Sequence, residues 1–578
     1  MQQTSRINAF HWHSRGPVRA AIDGSPVLSG LLLALAFPPF DYAWLAWWAL
    51  LPLALAMARP SCSQTTWGAV YVAALLAHLP FLYWLTTCTE RLVSSAALWS
   101  LWLGSGALGG GLVTLTFAVG RRLLAKRRWP VCLVLPVVWT TWEFARHHIG
   151  MLIDTVGFPW LKLGNAVSAQ LIWLQSADLT GELGLTFLAA LFSGWCVDVV
   201  NRWRQRPDSS GGYRVLGGAV VAAPLALGFL LLYGCWRLAQ PAAANGPSVC
   251  LMSEVELPPL VDRERIATSH TNYLLEDDSE LPANDGMRMP DLLVWPEAAY
   301  HHTVVTADSP NVSVAASSRG GAAVRLVSRS TNPEVDGLAL LQETARDLTT
   351  AIVMGCHRHD AATPAAPPYR SLAVVDSEGK YVGAADKRYL VPWVEFVPAT
   401  WVPVTSPEQV FRRGRKAPLF SIRGGSPQRA FRFGCAVCYD ACFEIPSPGA
   451  RPDFYVHCGT EPVQVGPMMH AAMLRMARLR AVEARRAVVR NATHGASGMI
   501  DGCGQLVATA PSEFDRPVAL GSVPLDDRVS LYACGGDWLP WLCMAVLVGG
   551  CLRAPRACPA DLPVELVPEP ARLANDAA

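Results

Sequence analysis

At 578 residues the chain is too long for one small domain, and with 51% hydrophobic and only 16% charged residues it does not have the composition of an ordinary soluble protein. A net charge of +2 gives no electrostatic reason to expect nucleic acid. The sixteen cysteines lack the even spacing of a disulfide framework, and the twenty-one tryptophans suit a membrane interface.

The first apolar run, over residues 19–37, follows Arg6, Arg15 and Arg19 and reads as an uncleaved signal-anchor, interrupted by Asp23 and ended by Pro38-Pro39. Ala43–Met57 comes next, with Asp41 at its edge. Thr66–Thr87, Ala96–Gly120 and Val215–Trp236 contain no Lys, Arg, Asp or Glu. Each reaches the ~20 residues that cross a bilayer as helix, where lipid offers the backbone no other hydrogen-bond partner. Trp129–Trp142 stops short at Glu143, Gly181–Val197 carries Glu182 near its start, and Trp538–Leu552 is last. The pattern predicts eight spans. Arg121, Arg122, Lys126, Arg127 and Arg128 fill one loop, Arg202, Arg204, Arg206 and Arg214 another, and Arg553 and Arg556 follow the last span. An even count puts all of these with the N-terminus on the cytoplasmic side, and residues 239–536 opposite. The basic loops then fix topology; lipid-headgroup recognition is their other reading.

Between about 245 and 530 short β-branched runs alternate with helical stretches. The runs are Val249–Met252, Leu292–Trp295, Ala351–Met354, Ser371–Val375, Phe431–Val437, Phe454–Val456 and Ala487–Val489. Pro467–Arg486, rich in Ala, Met, Leu and Arg, reads as one long helix. Such alternation predicts an α/β domain. Ser309–Pro333 and Ala361–Pro368 read as loops, the first as a candidate lid by position. The organisation is a membrane region over 1–238, an extracytoplasmic domain over 239–536, a final span over 537–553 and a tail over 554–578.

Three segments carry chemistry: Trp295-Pro296-Glu297, Asp386-Lys387 and Cys435-Ala436-Val437-Cys438-Tyr439-Asp440. Together they offer a base, a cation and a thiol nucleophile. A thiol attacks a carbonyl only as thiolate and needs a base to take its proton. Glu297, after an apolar run, fits that base, with a carboxyl raised by an apolar pocket. Lys387 and backbone N–H groups near Cys438 fit the stabilisation of an oxyanion. Each residue alone has a plainer reading: a surface carboxylate, a solvated Lys387-Arg388 pair, a buried inert cysteine. Cys435, Cys438 and Cys442 also raise a metal site, but no second Cys-x-x-Cys pair or close His supports one.

In this order and setting, Glu297, Lys387 and Cys438 resemble the nitrilase, or carbon–nitrogen hydrolase, superfamily, which implies an αββα sandwich. A domain of that kind between about seven spans and one C-terminal span resembles the apolipoprotein N-acyltransferase family. The likeness extends to Trp142-Glu143-Phe144-Ala145-Arg146, Gly157-Phe158-Pro159-Trp160, Gln175–Leu188, Leu390-Val391-Pro392, Glu395-Phe396-Val397-Pro398 and Gly535-Gly536-Asp537-Trp538. Departures are Asp440 for a usual Glu, Trp393-Val394 for Phe-Gly, His457-Cys458 for Asn-Asp, and Ala492-Thr493 for Thr-Asn.

The resemblance implies transfer of an acyl chain from a phospholipid to the N-terminal amine of a diacylglyceryl-cysteine lipoprotein, through a thioester on Cys438. It implies Glu297 as base, Lys387 with the Tyr439 N–H at the oxyanion, Glu395 beside Lys387 and Asp440 supporting the loop. No cofactor or metal is needed, since the donor is itself an ester. A monomer in the bacterial inner membrane with its catalytic domain in the periplasm is expected. Three rivals remain open: a membrane-tethered nitrilase-type amidase, a non-catalytic lipoprotein-binding descendant, and a transporter, against which few intramembrane charges and no inverted repeat speak.

Overall fold

The structure, a computed structural model, describes residues 23–87, 92–127, 129–152, 159–204, 213–240, 244–253, 289–297, 302–306, 325–328, 337–360, 363, 366–398, 404, 410–425, 428–443, 451–461, 466–511 and 516–552. Among the described residues four helices are long and apolar enough to cross a membrane: Gln64–Thr87, Ser95–Lys126, Ala177–Trp203 and Gly218–Leu238. Pro26–Ala36, Ala43–Met57 and Trp538–Leu552 are shorter apolar helices. The signal-anchor arginines, Arg128, Arg206, Arg553, Arg556 and Gly157-Phe158 lie outside the described residues.

Two helices run further than their apolar stretches predict, because their charges are satisfied internally. Val131–Leu152 continues past Glu143. The Glu143 carboxylate accepts from Trp139 Nε1 at 2.9 Å, from the Leu163 N–H at 2.9 Å and from Thr186 Oγ1 at 2.6 Å. A buried carboxyl group bonded to three donors leaves no unpaired polar group that would end the helix. Ala177–Arg204 contains Glu182 and bends at Gly181, whose φ of 69° suits glycine. A side chain there would also collide with the Tyr532 ring.

The α/β half is a sandwich of two sheets. In the first, β14 (Val518–Leu525), β1 (Ala244–Leu251), β2 (Leu292–Val294) and β5 (Ala351–Asp360) are successive neighbours. The far half of β5 pairs with β3 (His302–Thr306), followed by β4 (Arg325–Ser328). Its other edge carries β6 (Tyr369–Val375) and β7 (Tyr381–Asp386). The second sheet runs β13 (Leu506–Ala510), β12 (Ser497–Ile500), β11 (Ala487–Thr493), β10 (Phe454–Thr460), β9 (Arg429–Val437), β8 (Leu419–Gly424). Six of the seven apolar runs read from the sequence are central strands with parallel neighbours, β1, β2, β5, β9, β10 and β11, covered on both faces; the seventh, Ser371–Val375, is β6, antiparallel to β5 and β7.

Between the sheets lies one apolar core, which Val249, Leu251 and Val294 of the first sheet share with Phe433, Val456 and Val489 of the second. Outside the first sheet packs the helix Gly337–Leu348, and outside the second the helix Gly466–Ala484, close to the expected Pro467–Arg486. Among the described residues the layers therefore run helix, sheet, sheet, helix. Of the stretch Ser309–Pro333, read as a loop, residues 325–328 form β4; the rest lies outside the described residues, as do 361, 362, 364 and 365 of the second loop.

The sandwich is welded to the membrane half. A single apolar cluster joins Phe81, Trp139, Trp160 and Leu188 of the membrane half to Tyr439, Phe443, Met473 and Met476 of the sandwich. Beside it Arg485 pairs with Asp178 at 2.8 Å and Arg480 with Glu483 at 2.7 Å, and Lys162 meets Glu182 at 2.9 Å.

Candidate active site

Cys438 directly follows β9, at the strand-to-loop transition that the apolar run predicts, and begins the 3₁₀ turn Cys438–Cys442. Its φ of 48° is left-handed, a conformation a non-glycine residue holds only when its surroundings enforce it. Asp440 supplies part of that enforcement. Its carboxylate accepts from the N–H of Val437 at 3.2 Å, Tyr389 at 2.9 Å and Arg388 at 3.1 Å. One short side chain thus ties the Cys438 turn to the segment after Lys387.

Lys387 follows β7, whose last residue Asp386 is fixed by Arg358 at 2.7 and 2.8 Å and by Ser371 Oγ at 2.7 Å. The Lys387 ammonium lies between two carboxylates, Glu297 Oε1 at 3.0 Å and Glu395 Oε1 at 2.8 Å. Glu297 sits just past β2, and Gly355 on the adjoining β5 allows the approach, since a Cβ there would strike the Glu297 carbonyl. Arg370, a residue that sequence reasoning missed, reaches Glu297 Oε1 at 3.6 Å and Glu395 Oε1 at 3.2 Å. Two carboxylates and two cations balance in a site where Glu297, Lys387 and Glu395 are almost wholly buried.

Thr460, also missed, links this cluster to the thiol. Its N–H donates to Glu297 Oε2 at 2.9 Å, and its carbonyl lies 3.7 Å from Cys438 Sγ. His457, noted in the sequence only as a departure, has Nε2 3.0 Å from the Cys438 carbonyl and Nδ1 3.0 Å from Arg490 Nη1. Arg490 pairs in turn with Glu461. No spacing rule flags Arg370, Thr460 or Glu461, which come from the ends of strands in different sheets.

The electrostatics define the resting state. Burial pushes the Cys438 thiol up to about 12; the Glu297 carboxylate adds to this and the Lys387 ammonium opposes it. Burial would raise Glu297 as well, but Lys387 and Arg370 outweigh it and hold the carboxyl below its usual 4.5, at about 2. This corrects the raised carboxyl expected from an apolar pocket: the cations beside it decide the sign. Burial disfavours the Lys387 ammonium, yet Cys438, Glu297 and Glu395 together hold it above its ordinary value. At neutral pH the site is therefore a thiol beside an ionised Glu297–Lys387 pair. Burial, offset in part by Arg388 and by backbone donors, raises Asp440.

A ring cluster roofs the turn. Tyr389 stacks on Phe443 at 3.9 Å, Tyr439 meets Phe443 at 5.2 Å, and Trp160 of the membrane half lies 5.7 Å from Tyr439. The Glu395 loop also touches the membrane half, where the Leu92 N–H donates to the Trp393 carbonyl at 3.1 Å.

Two stacked sheets with flanking helices and a Glu–Lys–Cys cluster at the strand ends make this half a carbon–nitrogen hydrolase domain of the nitrilase type, and residues 283–532 match the carbon-nitrogen hydrolase family model. Residues 29–195 match the model of the apolipoprotein N-acyltransferase N-terminal domain. The apolipoprotein N-acyltransferase of Geobacter metallireducens is 28% identical over 541 residues, 90% of this chain and 92% of that one. That of Chlorobaculum tepidum is 26% identical over 90% of this chain and 94% of its own. A nitrilase-superfamily crystal structure from Saccharomyces cerevisiae aligns with 51% of this chain and 97% of its own, at 16% identity and a TM-score of 0.30. With a membrane half and a hydrolase half each matched in order along one chain, the protein belongs to the apolipoprotein N-acyltransferase family.

Proposed function

We propose that the protein transfers a fatty acyl chain from a phospholipid to the N-terminal α-amine of a diacylglyceryl-cysteine lipoprotein, through a thioester on Cys438. The observation that carries the mechanism is Lys387 held between Glu297 and Glu395 beside a buried thiol on a left-handed backbone. Glu297 accepts the Cys438 proton as sulfur attacks the ester carbonyl, so that no free thiolate accumulates. Lys387 and the Tyr439 N–H take the oxyanion charge. The glycerol oxygen leaves with a proton from Glu297, releasing lysophospholipid. The lipoprotein amine then attacks the thioester, Glu297 takes the amine proton and passes it to the departing sulfur, and the Cys438 thiol is restored as the amide forms. Glu395 anchors Lys387 through the cycle, and Asp440 holds the turn.

Placement in the bacterial inner membrane follows the same reading. Eight spans, counting the shorter apolar helices and Val131–Leu152, would put the basic loops in the cytoplasm and the sandwich in the periplasm. Both substrates are lipids, and a site joined to the bundle through Trp160 and Tyr439 spares an acyl chain exposure to water at about 0.8 kcal/mol per CH₂. The test is intact-mass analysis after incubation with phospholipid alone. A hydroxylamine-labile acyl adduct, absent from Cys438→Ala, is expected; a folded, lipid-bound protein without adduct would favour a non-catalytic lipoprotein-binding descendant.

A further inference from the structure

Cys438 and Tyr439 share one peptide plane. Because that unit is planar and trans, its carbonyl and its N–H point in opposite directions, and fixing one fixes the other. The Cys438 carbonyl is the group that faces His457 Nε2, at 3.0 Å. The N–H on the other side belongs to Tyr439, an early residue of the 3₁₀ turn, whose first N–H groups have no acceptor within the turn.

Which way the His457 hydrogen bonds run is determined by its neighbour. An arginine guanidinium only donates, so with Arg490 Nη1 3.0 Å from Nδ1 the ring must accept there. The ring is then neutral with its hydrogen on Nε2, and Nε2–H donates to the Cys438 carbonyl. Burial and the Arg490 charge both oppose ring protonation, lowering the imidazole to about 3. Arg490 is itself fixed by the Ala496 carbonyl at 2.9 Å and by Glu461. The strand register puts His457 opposite Arg490 on β10 and β11, and alternation along β10 sends Val456 and Cys458 into the inter-sheet core and His457 to the other face. Asp440 accepts from the Val437 N–H, one peptide unit upstream of the bond that joins Val437 to Cys438, and His457 holds the peptide after Cys438. Contacts on both sides thus flank the left-handed Cys438.

We propose that His457 is a positioning residue: by gripping the Cys438 carbonyl in the tautomer imposed by Arg490, it aims the Tyr439 N–H at the oxyanion of the acyl-transfer intermediate. The inference rests on the acyl-transfer reading for the natural donor. It requires only that Cys438 attack a carbonyl, so an activated ester tests it independently of the lipid.

The experiment compares full-length wild type, His457→Phe and His457→Gln in detergent with p-nitrophenyl butyrate, phospholipid and iodoacetamide. Phe keeps bulk without a donor; Gln restores an amide N–H at about the reach of Nε2. Removing an oxyanion donor lowers rates about 10²–10³-fold, so His457→Phe is expected to slow the p-nitrophenol burst by about 10²-fold with KM nearly constant. His457→Gln is expected to recover most of that loss. Alkylation by iodoacetamide forms no oxyanion and is expected to stay within about threefold in both variants. If His457→Phe slows alkylation as much as acylation, the residue merely holds the turn and the proposal falls. An unchanged burst in His457→Phe overturns it too, as does wild type without any Cys438-dependent burst. A wild-type burst from the ester with no adduct from phospholipid removes the lipid reading alone and leaves the His457 comparison decisive.

Discussion

The protein buries two clusters of charge that look alike in composition and differ in what they do. At the weld between the halves, Asp178 faces Arg485 and Arg237, while Glu182 and Glu483 face Lys162 and Arg480. At the candidate site, Glu297 and Glu395 face Lys387 and Arg370. Weld side chains also bond across to the backbone and amides of the opposite half: Arg485 reaches the Gln175 carbonyl at 3.0 Å and its side-chain oxygen at 2.8 Å, and Glu483 takes the Glu182 N–H at 2.8 Å. Site side chains converge instead on a thiol whose backbone is held in a left-handed turn. Buried, balanced charge is thus not what sets the candidate site apart; a thiol placed within its field is.

The comparison predicts that charge removal costs acylation in one cluster and not in the other. Cys438→Ala abolishes the acyl-enzyme while leaving lipid binding intact, measured by intact mass and by co-purified lipid. Lys387→Met slows acylation about 10³-fold, since it removes an oxyanion cation, and it also lowers the unfolding temperature, since Glu297 and Glu395 are left sharing Arg370. Arg485→Met touches stability alone: it leaves Asp178 with less compensation and destabilises by about 3–5 kcal/mol, seen as a lower thermal midpoint, while molecules still folded acylate normally. A large acylation loss in folded Arg485→Met would erase the distinction between the clusters. Asp440→Asn offers one oxygen where the carboxylate serves three N–H groups, and a smaller, about tenfold, fall in acylation is expected.

The smallest effect expected near neutrality is pH dependence. As the proposed base, Glu297 acts only when ionised, and its folded-state value lies below 4.5, at about 2. The acid limb of Cys438 acylation should therefore fall well below pH 4.5, read from burst rates between pH 3 and 7 on a scale of about one decade per unit. A limb near pH 6 would mean that burial, rather than Lys387 and Arg370, governs Glu297.

Much of this was legible in the sequence, for stated reasons. Central parallel strands are buried on both faces, so Leu292–Val294 and Phe431–Val437 show as plain apolar runs, and the chemistry follows directly after them at Glu297 and Cys438. Edge strands escape this reading. Leu506–Ala510 alternates between half-buried and exposed positions and holds two alanines in five residues, so it shows no buried apolar run. Glu143 and Glu182 looked like limits of apolar spans because their partners, Thr186, Leu163, Lys162 and Arg480, are assigned only by tertiary packing. Arg370 was invisible for the same reason, since it meets Glu297 through the pairing of β5 with β6. The sign of the Glu297 shift depends on that unseen arginine as well as on Lys387.

The central claim is that the Cys438 thioester passes its acyl group to an amine. The most direct measurement isolates the acyl-enzyme formed from phospholipid, adds a diacylglyceryl-cysteine peptide, and follows both masses over time. The enzyme should return to its unmodified mass as the peptide gains one acyl group in a hydroxylamine-stable amide. Free fatty acid with an unchanged peptide would contradict the account and make the protein a membrane-tethered hydrolase.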